Sequence, residues 1–180
     1  MKRCCLTIVE DKINNKILMV QNMRGVNKGF YNFPGGKIEP FETIEEGSIR
    51  ENIEETGIIP IDLKTLGKVE FHPINMVVHV FYTDQFKGEL ISSNSNENRA
   101  FWVDRDNIPF DKMRKTDQAW VKDVIEGKHI NKRIYFNDDF SLNRIEDVHE
   151  NIEKYKQRYN KFIQLRKHKY LQIKASNIKR

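Results

Sequence analysis

The fold is decided by the stretch from Gly36 to Ile58, which reads GKIEPFETIEEGSIRENIEETGI. Thr43 followed by Glu46 has the spacing of a capping box, so a helix is expected to begin near residue 44. Gly57 is the residue type that commonly ends a helix in a left-handed conformation. The stretch therefore predicts one helix between two turns, and we expect the rest of the chain to position it.

Three carboxylates share one face of this helix, because Glu51, Glu54 and Glu55 stand at i, i+3 and i+4. At about 4 Å, two like charges repel by ~1 kcal/mol in water and ~4 kcal/mol at an effective dielectric of 20. No lysine follows within the helix to offset this. A cation bound among them would, and oxygen ligands suit Mg²⁺ or Mn²⁺ rather than zinc. We favour such a metal site, with carbonyls of the Gly35-Gly36 loop nearby, over an acidic solvent-exposed helix.

These residues resemble the Nudix box, G-x5-E-x7-R-E-U-x-E-E-x-G-U, where U is an aliphatic residue. Eight of its nine fixed positions are met in this 23-residue stretch, which is a specific match. The departure is Asn52, which stands at an aliphatic position. Either the helix is rotated slightly, or Asn52 is buried and needs hydrogen-bond partners. Gly47, in mid-helix, indicates close packing there.

A wider resemblance, over roughly residues 3–148, is to the MutT-like 8-oxo-dGTP diphosphatase branch of that family. The segments that carry it are Phe30-Tyr31-Asn32, His79-Val80-Phe81, Thr83-Asp84, Trp102, Ile108-Pro109-Phe110 and Trp120. It implies an α/β protein of the Nudix fold, a mixed β-sheet sandwiched between α-helices. β-rich runs at 6–9, 17–20, 67–71, 76–82, 101–103 and 133–136 fit that order, with a hairpin over 10–15 and a short helix over 115–126. His79 lies in one of these strands and is expected to be a core residue.

The resemblance also implies the site residues. The metal ligands would be the Gly35 carbonyl and the carboxylates of Glu51, Glu54, Glu55 and Glu97. The base pocket would be lined by Asn32, Phe71, Met76 and Asp117. Arg114 stands where the branch has a stacking Trp, and Thr116 where it has the first of two pocket aspartates; an arginine can stack on a purine face.

Further substrate contacts are expected from Phe33, Gly35, Gly36, Lys37 and Arg24. Arg24 belongs to a loop over residues 24–29 that is rich in glycine and basic groups. This loop reads equally well as a phosphate contact or as an ordinary surface turn.

The activity implied is that of a Mg²⁺-dependent pyrophosphohydrolase, with 8-oxo-dGTP as the substrate and the monophosphate and pyrophosphate as products. Glu51 is the first candidate for the general base and Glu54 the alternative. Arg50 is expected to pair with Glu42, orienting the loop or holding the ligand glutamates. A 5′-triphosphate RNA end is the alternative substrate. A binding module without catalysis is disfavoured, because every acidic residue of the box is present.

Charge divides the chain into two parts. The net charge is +5, but residues 151–180 alone carry +9, which leaves −4 for residues 1–150. We therefore expect a Nudix domain over 1–148 and a basic extension over 149–180. Apolar residues in steps of four and three from Val148 onward predict an amphipathic helix there. It is expected to pack on the domain with weak nucleic-acid affinity, or else to meet an anionic membrane surface.

Cys4 and Cys5 are adjacent and the chain has two cysteines in all, which excludes a disulfide framework and fits a reducing, cytoplasmic setting. The apolar run after the basic N-terminus ends at Glu10, too soon for a signal peptide. No run is long enough to span a bilayer. The sequence leaves the oligomeric state open, with a monomer favoured.

Overall fold

A computed structural model describes residues 1–91, 98–139, 141–148, 161 and 164–165. The helices are α1 Ile44–Thr56 and α2 Lys115–Ile125. The strands are β1 Lys2–Asp11, β2 Lys16–Asn22, β3 Tyr31–Asn32, β4 Ile59–Ile61, β5 Lys64–His72, β6 Met76–Thr83, β7 Gln85–Lys87, β8 Asn98–Asp104, β9 Ile130–Phe136 and β10 Leu142–Asp147. Short 3₁₀ turns cover Gly25–Asn27, Arg105–Asn107 and Phe110–Lys112.

Most of the strands join one mixed sheet. Within the described residues its order is β10-β9-β5-β6-β1-β2-β3, with β8 also paired to β2. β1 pairs with β6, and β5 with β9, in parallel, whereas the remaining pairs in the sheet are antiparallel. A separate antiparallel pair, β4 with β7, follows α1. The sequence did not predict this small pair, since each of its strands has three residues.

The alternation of β1 explains why the sheet is covered on both faces. Ile8 belongs to the core that contains Trp120 of α2, whereas Cys5 packs with Ile44 at the start of α1. Successive side chains of a strand point to opposite faces, so α1 and α2 lie on opposite sides of the sheet. This confirms the expected mixed sheet between helices.

The core on the α2 side is the larger one. Trp120, Val121 and Val124 of α2 are each at most 1% exposed and pack against strand residues such as Ile8 and Val80.

His79 is buried at 4% exposure, and burial lowers its pKa to about 3. It is therefore neutral at physiological pH, as expected of a core histidine.

The chain leaves β10 at Val148, whose N–H donates to the carbonyl of Asn131 at 2.7 Å. Almost all of the extension over 149–180 lies outside the described residues. The domain boundary at residue 148 and the amphipathic helix of the extension therefore stay predictions. No helix in the described ranges is both long and apolar enough to cross a bilayer.

Candidate active site

Helix α1 is fixed at both ends and along its buried face. Thr43 Oγ1 accepts a hydrogen bond from Glu46 N at 3.1 Å, and Glu46 Oε2 accepts one from Thr43 N at 2.7 Å, which completes the predicted capping box. Gly57 ends the helix with φ +78°, as expected of a left-handed cap. Fully buried Ser48 shares a hydrogen bond with Thr7 of β1. The direction in which the helix points its carboxylates is therefore set.

Asn52, the departure from the Nudix box, is a buried amide. It has no exposed surface, and its Nδ2 donates to the carbonyl of Ser48 at 2.8 Å. Its Oδ1 has no hydrogen-bond partner among the described residues. Of the two interpretations given above, the buried side chain is the observed one. A Cβ on Gly47 would lie 2.7 Å from Ile38 Cδ1, so the close packing expected there is confirmed.

Arg50 is the centre of the acidic cluster. Its Nε donates to Glu42 Oε1 at 2.7 Å, and its Nη1 donates to both Glu51 Oε1 and Glu54 Oε2 at 2.9 Å. Nη2 donates to the carbonyl of Lys37 at 3.0 Å. Its hydrogen bonds lower the pKa of Glu42. The pairing expected between Arg50 and Glu42 is thus present, and the same guanidinium also holds two further glutamates.

Glu51 differs from Glu54 in its surroundings. The side chain of Glu51 is 15% exposed and that of Glu54 58% exposed. Burial raises the pKa of Glu51, although Arg50 opposes the effect. A Cβ on Gly36 would lie 2.5 Å from Glu51 Oε2, so the carboxylate rests directly against the backbone of the glycine loop. A partly desolvated carboxylate at this position has the character of a proton acceptor.

Glu55 joins the helix to the same loop. Its Oε2 accepts a hydrogen bond from Gly35 N at 2.8 Å, and its Oε1 accepts one from the Nδ2 of Asn98. Asn98 is the first residue of β8. Asn98 was not among the residues expected at the site, and no local pattern in the sequence marks it, since the contact spans 43 residues.

The structure places some of the expected metal ligands near one another. Glu51 lies against Gly36, Glu55 accepts a hydrogen bond from Gly35 N, and Glu54 shares the Nη1 of Arg50 with Glu51. Their carboxylate oxygens are the ligand type that Mg²⁺ prefers. The missing Cβ of Gly36 leaves the space that Glu51 uses. Among the described residues, no three His, Cys, Asp or Glu side chains already surround one point. Glu97, the fifth expected ligand, lies outside those residues.

A cavity of about 340 Å³ opens beside the acidic cluster. Of the residues expected to contact substrate, Asn32, Gly35, Gly36, Phe71, Met76, Arg114 and Asp117 line it. The cavity is also lined by residues that were not expected in the pocket, among them Cys4, Val26, Asn27, Ile74 and Phe136. Trp120 is both a core residue and part of the cavity wall.

Three of the expected substrate contacts do not line this cavity. Phe33 is 1% exposed and belongs to the apolar core. Lys37 is exposed and offers its carbonyl to Arg50. Arg24 is exposed at the start of the Gly25–Asn27 turn. Phe33 follows the last residue of β3 and packs in the core that contains Trp120 and Phe71, so its side chain is enclosed by apolar groups and is not available to a ligand.

The polar groups of the cavity have defined hydrogen-bonding capacity. The Oδ1 of Asn32 accepts from Phe33 N at 2.9 Å, so the Nδ2 donors of Asn32 are what this amide presents to a ligand. Burial raises the pKa of Asp117 to about 6. The cavity therefore combines apolar walls with a few convergent polar groups, as ligand sites do.

Comparison with known proteins finds matches to this chain in sequence and in fold. The family model of the NUDIX domain matches residues 3–124. The chain is 35% identical over 127 residues to the oxidized purine nucleoside triphosphate hydrolase of Danio rerio, covering 68% of this chain and 80% of that protein. It is 32% identical over 131 residues to the Mus musculus protein of the same name, covering 71% and 83%. The crystal structure of a MutT protein from Bacillus halodurans superposes with a TM-score of 0.70 at 24% identity, covering 84% of this chain and all of that one.

Proposed function

Because the chain belongs to the NUDIX domain family, we propose that it is a Mg²⁺-dependent pyrophosphohydrolase of nucleoside triphosphates, with 8-oxo-dGTP as its substrate. The proposal rests on one observation, which is that the wall of the base cavity continues into the acidic cluster. Gly35 and Gly36 form part of the cavity wall, and both also touch the acidic cluster through Glu55 and Glu51. A nucleoside in the cavity would place its triphosphate at the carboxylates. The relatives named above as oxidized purine nucleoside triphosphate hydrolases support this substrate class.

The base would be read by hydrogen bonds inside an apolar slot. Phe71 and Met76 supply apolar walls, while Asn32 offers donors and Asp117 a carboxyl group. With a pKa of about 6, Asp117 is able to bind a proton when a ligand places an acceptor beside it. It then donates to that acceptor, whereas the ionised form only accepts.

The acidic cluster fits a divalent cation, which members of the family generally use. Glu51, Glu54 and Glu55 with the Gly35 carbonyl would hold it, with Glu97 as a further ligand. When bound, Mg²⁺ supplies positive charge that neutralises the phosphate chain and polarises water. Arg50 holds Glu51 and Glu54 close together, because its Nη1 donates to both carboxylates. A charged hydrogen bond of this kind opposes the repulsion between the carboxylates.

The reaction is hydrolysis of the bond between the α- and β-phosphates. The oxygen of a water forms a new bond to phosphorus, the bridging P–O bond breaks, and the water's proton passes to a carboxylate. Glu51 is our choice of acceptor because it is more enclosed than Glu54 and because burial favours its protonated form. The products are the nucleoside monophosphate and pyrophosphate, and the role is cleaning of the nucleotide pool, which we place in the cytoplasm.

The test is kcat/KM with Mg²⁺ for 8-oxo-dGTP, dGTP and a short triphosphorylated RNA, side by side. We expect a preference for 8-oxo-dGTP over dGTP of at least about tenfold, which corresponds to ~1.4 kcal/mol of differential binding. Equal values for the two would contradict the proposed substrate. Faster turnover of RNA, lost on deletion of residues 149–180, would instead favour RNA end processing through the basic extension.

A further inference from the structure

We propose that Arg114 is a positioning residue that latches the Gly25–Asn27 turn over the base cavity and so controls how tightly the nucleoside is held. This inference rests on the proposed function for the nature of the ligand. The latch itself consists of contacts between Arg114 and the Gly25–Asn27 turn, which are far apart in the sequence. It gives Arg114 a different task from stacking on the base, which is what the sequence suggested.

Arg114 is well placed to hold a loop. Its carbonyl accepts hydrogen bonds from the N–H groups of Asp117 and Gln118 at 2.9 and 3.0 Å, so its backbone is fixed as the N-cap of α2. Its side chain makes no capping bond and reaches the turn instead. Nε donates to Asn27 Oδ1 at 2.6 Å, and Nη2 donates to the carbonyl of Val26. The two hydrogen bonds share one rigid guanidinium, which fixes direction as well as distance.

The guanidinium also lies over an aromatic ring. Its Cζ is 4.6 Å from the centroid of Phe30, at the far end of the same loop, within the range of a cation–π contact. Arg114 therefore contacts this segment at three points, two in the turn and one at Phe30. One face of the guanidinium is occupied by this ring, which limits what the same group offers to a base.

Packing alone does not hold the turn. Val26 is 84% exposed, and a Cβ added to Gly25 or Gly29 would meet no atom within 4 Å. At its base the loop is joined to β2, where Gly29 N donates to the Asn22 carbonyl at 2.7 Å. The tip itself carries local turn hydrogen bonds, from Lys28 N to the Gly25 carbonyl at 3.1 Å and from Phe30 N to the Asn27 carbonyl at 3.0 Å. Among the described residues, the hydrogen bonds from Arg114 are what tie residues 26 and 27 to α2.

The latch matters for binding because its partners border the cavity. Val26, Asn27 and Arg114 all line the base cavity. Arg114 and Phe30 also border a neighbouring cavity of about 350 Å³. The latched loop thus closes one side of the pocket, and releasing it opens that side. The expected consequence is weaker holding of the nucleoside, with little change in the chemistry at the acidic cluster.

The test is a double-mutant cycle between Arg114 and Asn27. Arg114→Ala and Asn27→Ala are each expected to raise KM for 8-oxo-dGTP, Arg114→Ala by about tenfold, the effect of losing one charged hydrogen bond, with kcat within about twofold. The double variant should match Arg114→Ala, because the two residues act through one contact. Arg114→Lys should fall between wild type and alanine, since lysine keeps the charge but not the fork.

Arg144→Ala is the matched control. Arg144 also lies over a ring, with its Cζ 4.0 Å from the centroid of Tyr135, but it does not line the base cavity. We expect wild-type KM and kcat from this variant. Multiplying effects in the double mutant, or an equal rise in KM with the Arg144 control, would overturn the proposal.

A second readout needs no catalysis. Trypsin cleavage after Arg24 and Lys28, assigned by mass spectrometry on the folded full-length chain, reports how often the loop opens. We expect cleavage at these two sites to be about tenfold faster in Arg114→Ala and unchanged in Arg144→Ala. If the wild-type protein turns over no nucleotide, the proposed function fails, and cleavage rates alone decide the latch: equal rates in wild type and Arg114→Ala would overturn it.

Discussion

Adding a single methyl group at Gly36 should slow catalysis while leaving the fold of this protein intact. In Gly36→Ala, the new Cβ would lie 2.5 Å from Glu51 Oε2 and 2.6 Å from Glu51 Cδ. Non-bonded heavy atoms of this kind prefer about 3.5 Å, so the two groups must separate by about 1 Å. The question is which of them moves.

The backbone at Gly36 is the fixed partner. Its carbonyl accepts a hydrogen bond from Cys5 N of β1 at 2.9 Å, and the residue is not among those with a positive φ. Alanine is therefore not strained by the backbone conformation, and the carboxylate of Glu51 is the flexible group that gives way. The change in the free energy of unfolding should be small, because a reduced entropy of the unfolded chain, worth about 0.4–1 kcal/mol, offsets the contact.

The effect on catalysis should be large. A displacement of about 1 Å in a catalytic group is enough to cost about 10²-fold in rate, so we expect kcat for 8-oxo-dGTP to fall by about that factor. The assay is steady-state turnover with saturating Mg²⁺, together with thermal unfolding of the same sample. Adding Gly36→Ala to Glu51→Gln should cost nothing further, because both act through one carboxylate. Wild-type kcat in Gly36→Ala, or a collapse of the melting temperature, would refute this reasoning.

Three further predictions follow from named side chains. Asp117→Asn should raise the free energy of unfolding at pH 8 by on the order of 2–3 kcal/mol. Burial raises the pKa of Asp117 from 3.8 to about 6, so the protonated carboxyl stabilises the folded wild type below pH 3.8, and this stabilisation is lost as the pH rises through 6. The gain should vanish near pH 4, and urea unfolding at both values checks it. Asn52→Leu should stabilise the protein by about 1 kcal/mol, because it removes a fully buried amide whose Oδ1 has no partner among the described residues; a loss of stability in urea would show that the site rejects the apolar shape. Arg50→Lys should lower kcat by about tenfold or more and stability by about 1–2 kcal/mol, since one ammonium does not bridge Glu42, Glu51 and Glu54 as the guanidinium does; unchanged turnover in a stopped assay would remove this role.

Local sequence rules were sufficient for the helix that carries the carboxylates. The start of α1 follows from Thr43 and Glu46, and its end from Gly57, because caps are satisfied within a few residues of themselves. The pairing of Arg50 with Glu42 also follows, since both lie in the same short stretch. These parts of the site depend on neighbours in the chain, and neighbours are what a sequence displays directly.

Contacts between distant segments did not follow in the same way. Arg114 meets Val26 across 88 residues, and Glu55 meets Asn98 across 43. Neither pair has a spacing or pattern that links its members before the sheet is assembled. Phe33 illustrates the same limit: its neighbour Asn32 lines the cavity, whereas Phe33 is buried among core residues of α2 and β5, which come from distant parts of the chain. Glu97 and nearly all of the basic extension are outside the described residues, so their roles stay predictions.

The most direct test of the central claim, that one substrate bridges the base cavity and the acidic cluster, is single-turnover hydrolysis of 8-oxo-dGTP by wild type and Glu51→Gln in Mg²⁺. We expect the variant to bind 8-oxo-dGMP with wild-type affinity by calorimetry, because its cavity is unchanged. We expect hydrolysis to slow by about 10³-fold or more, through loss of the proton acceptor. Hydrolysis at the wild-type rate by a folded Glu51→Gln protein would show that the reaction does not take place at the acidic cluster as proposed.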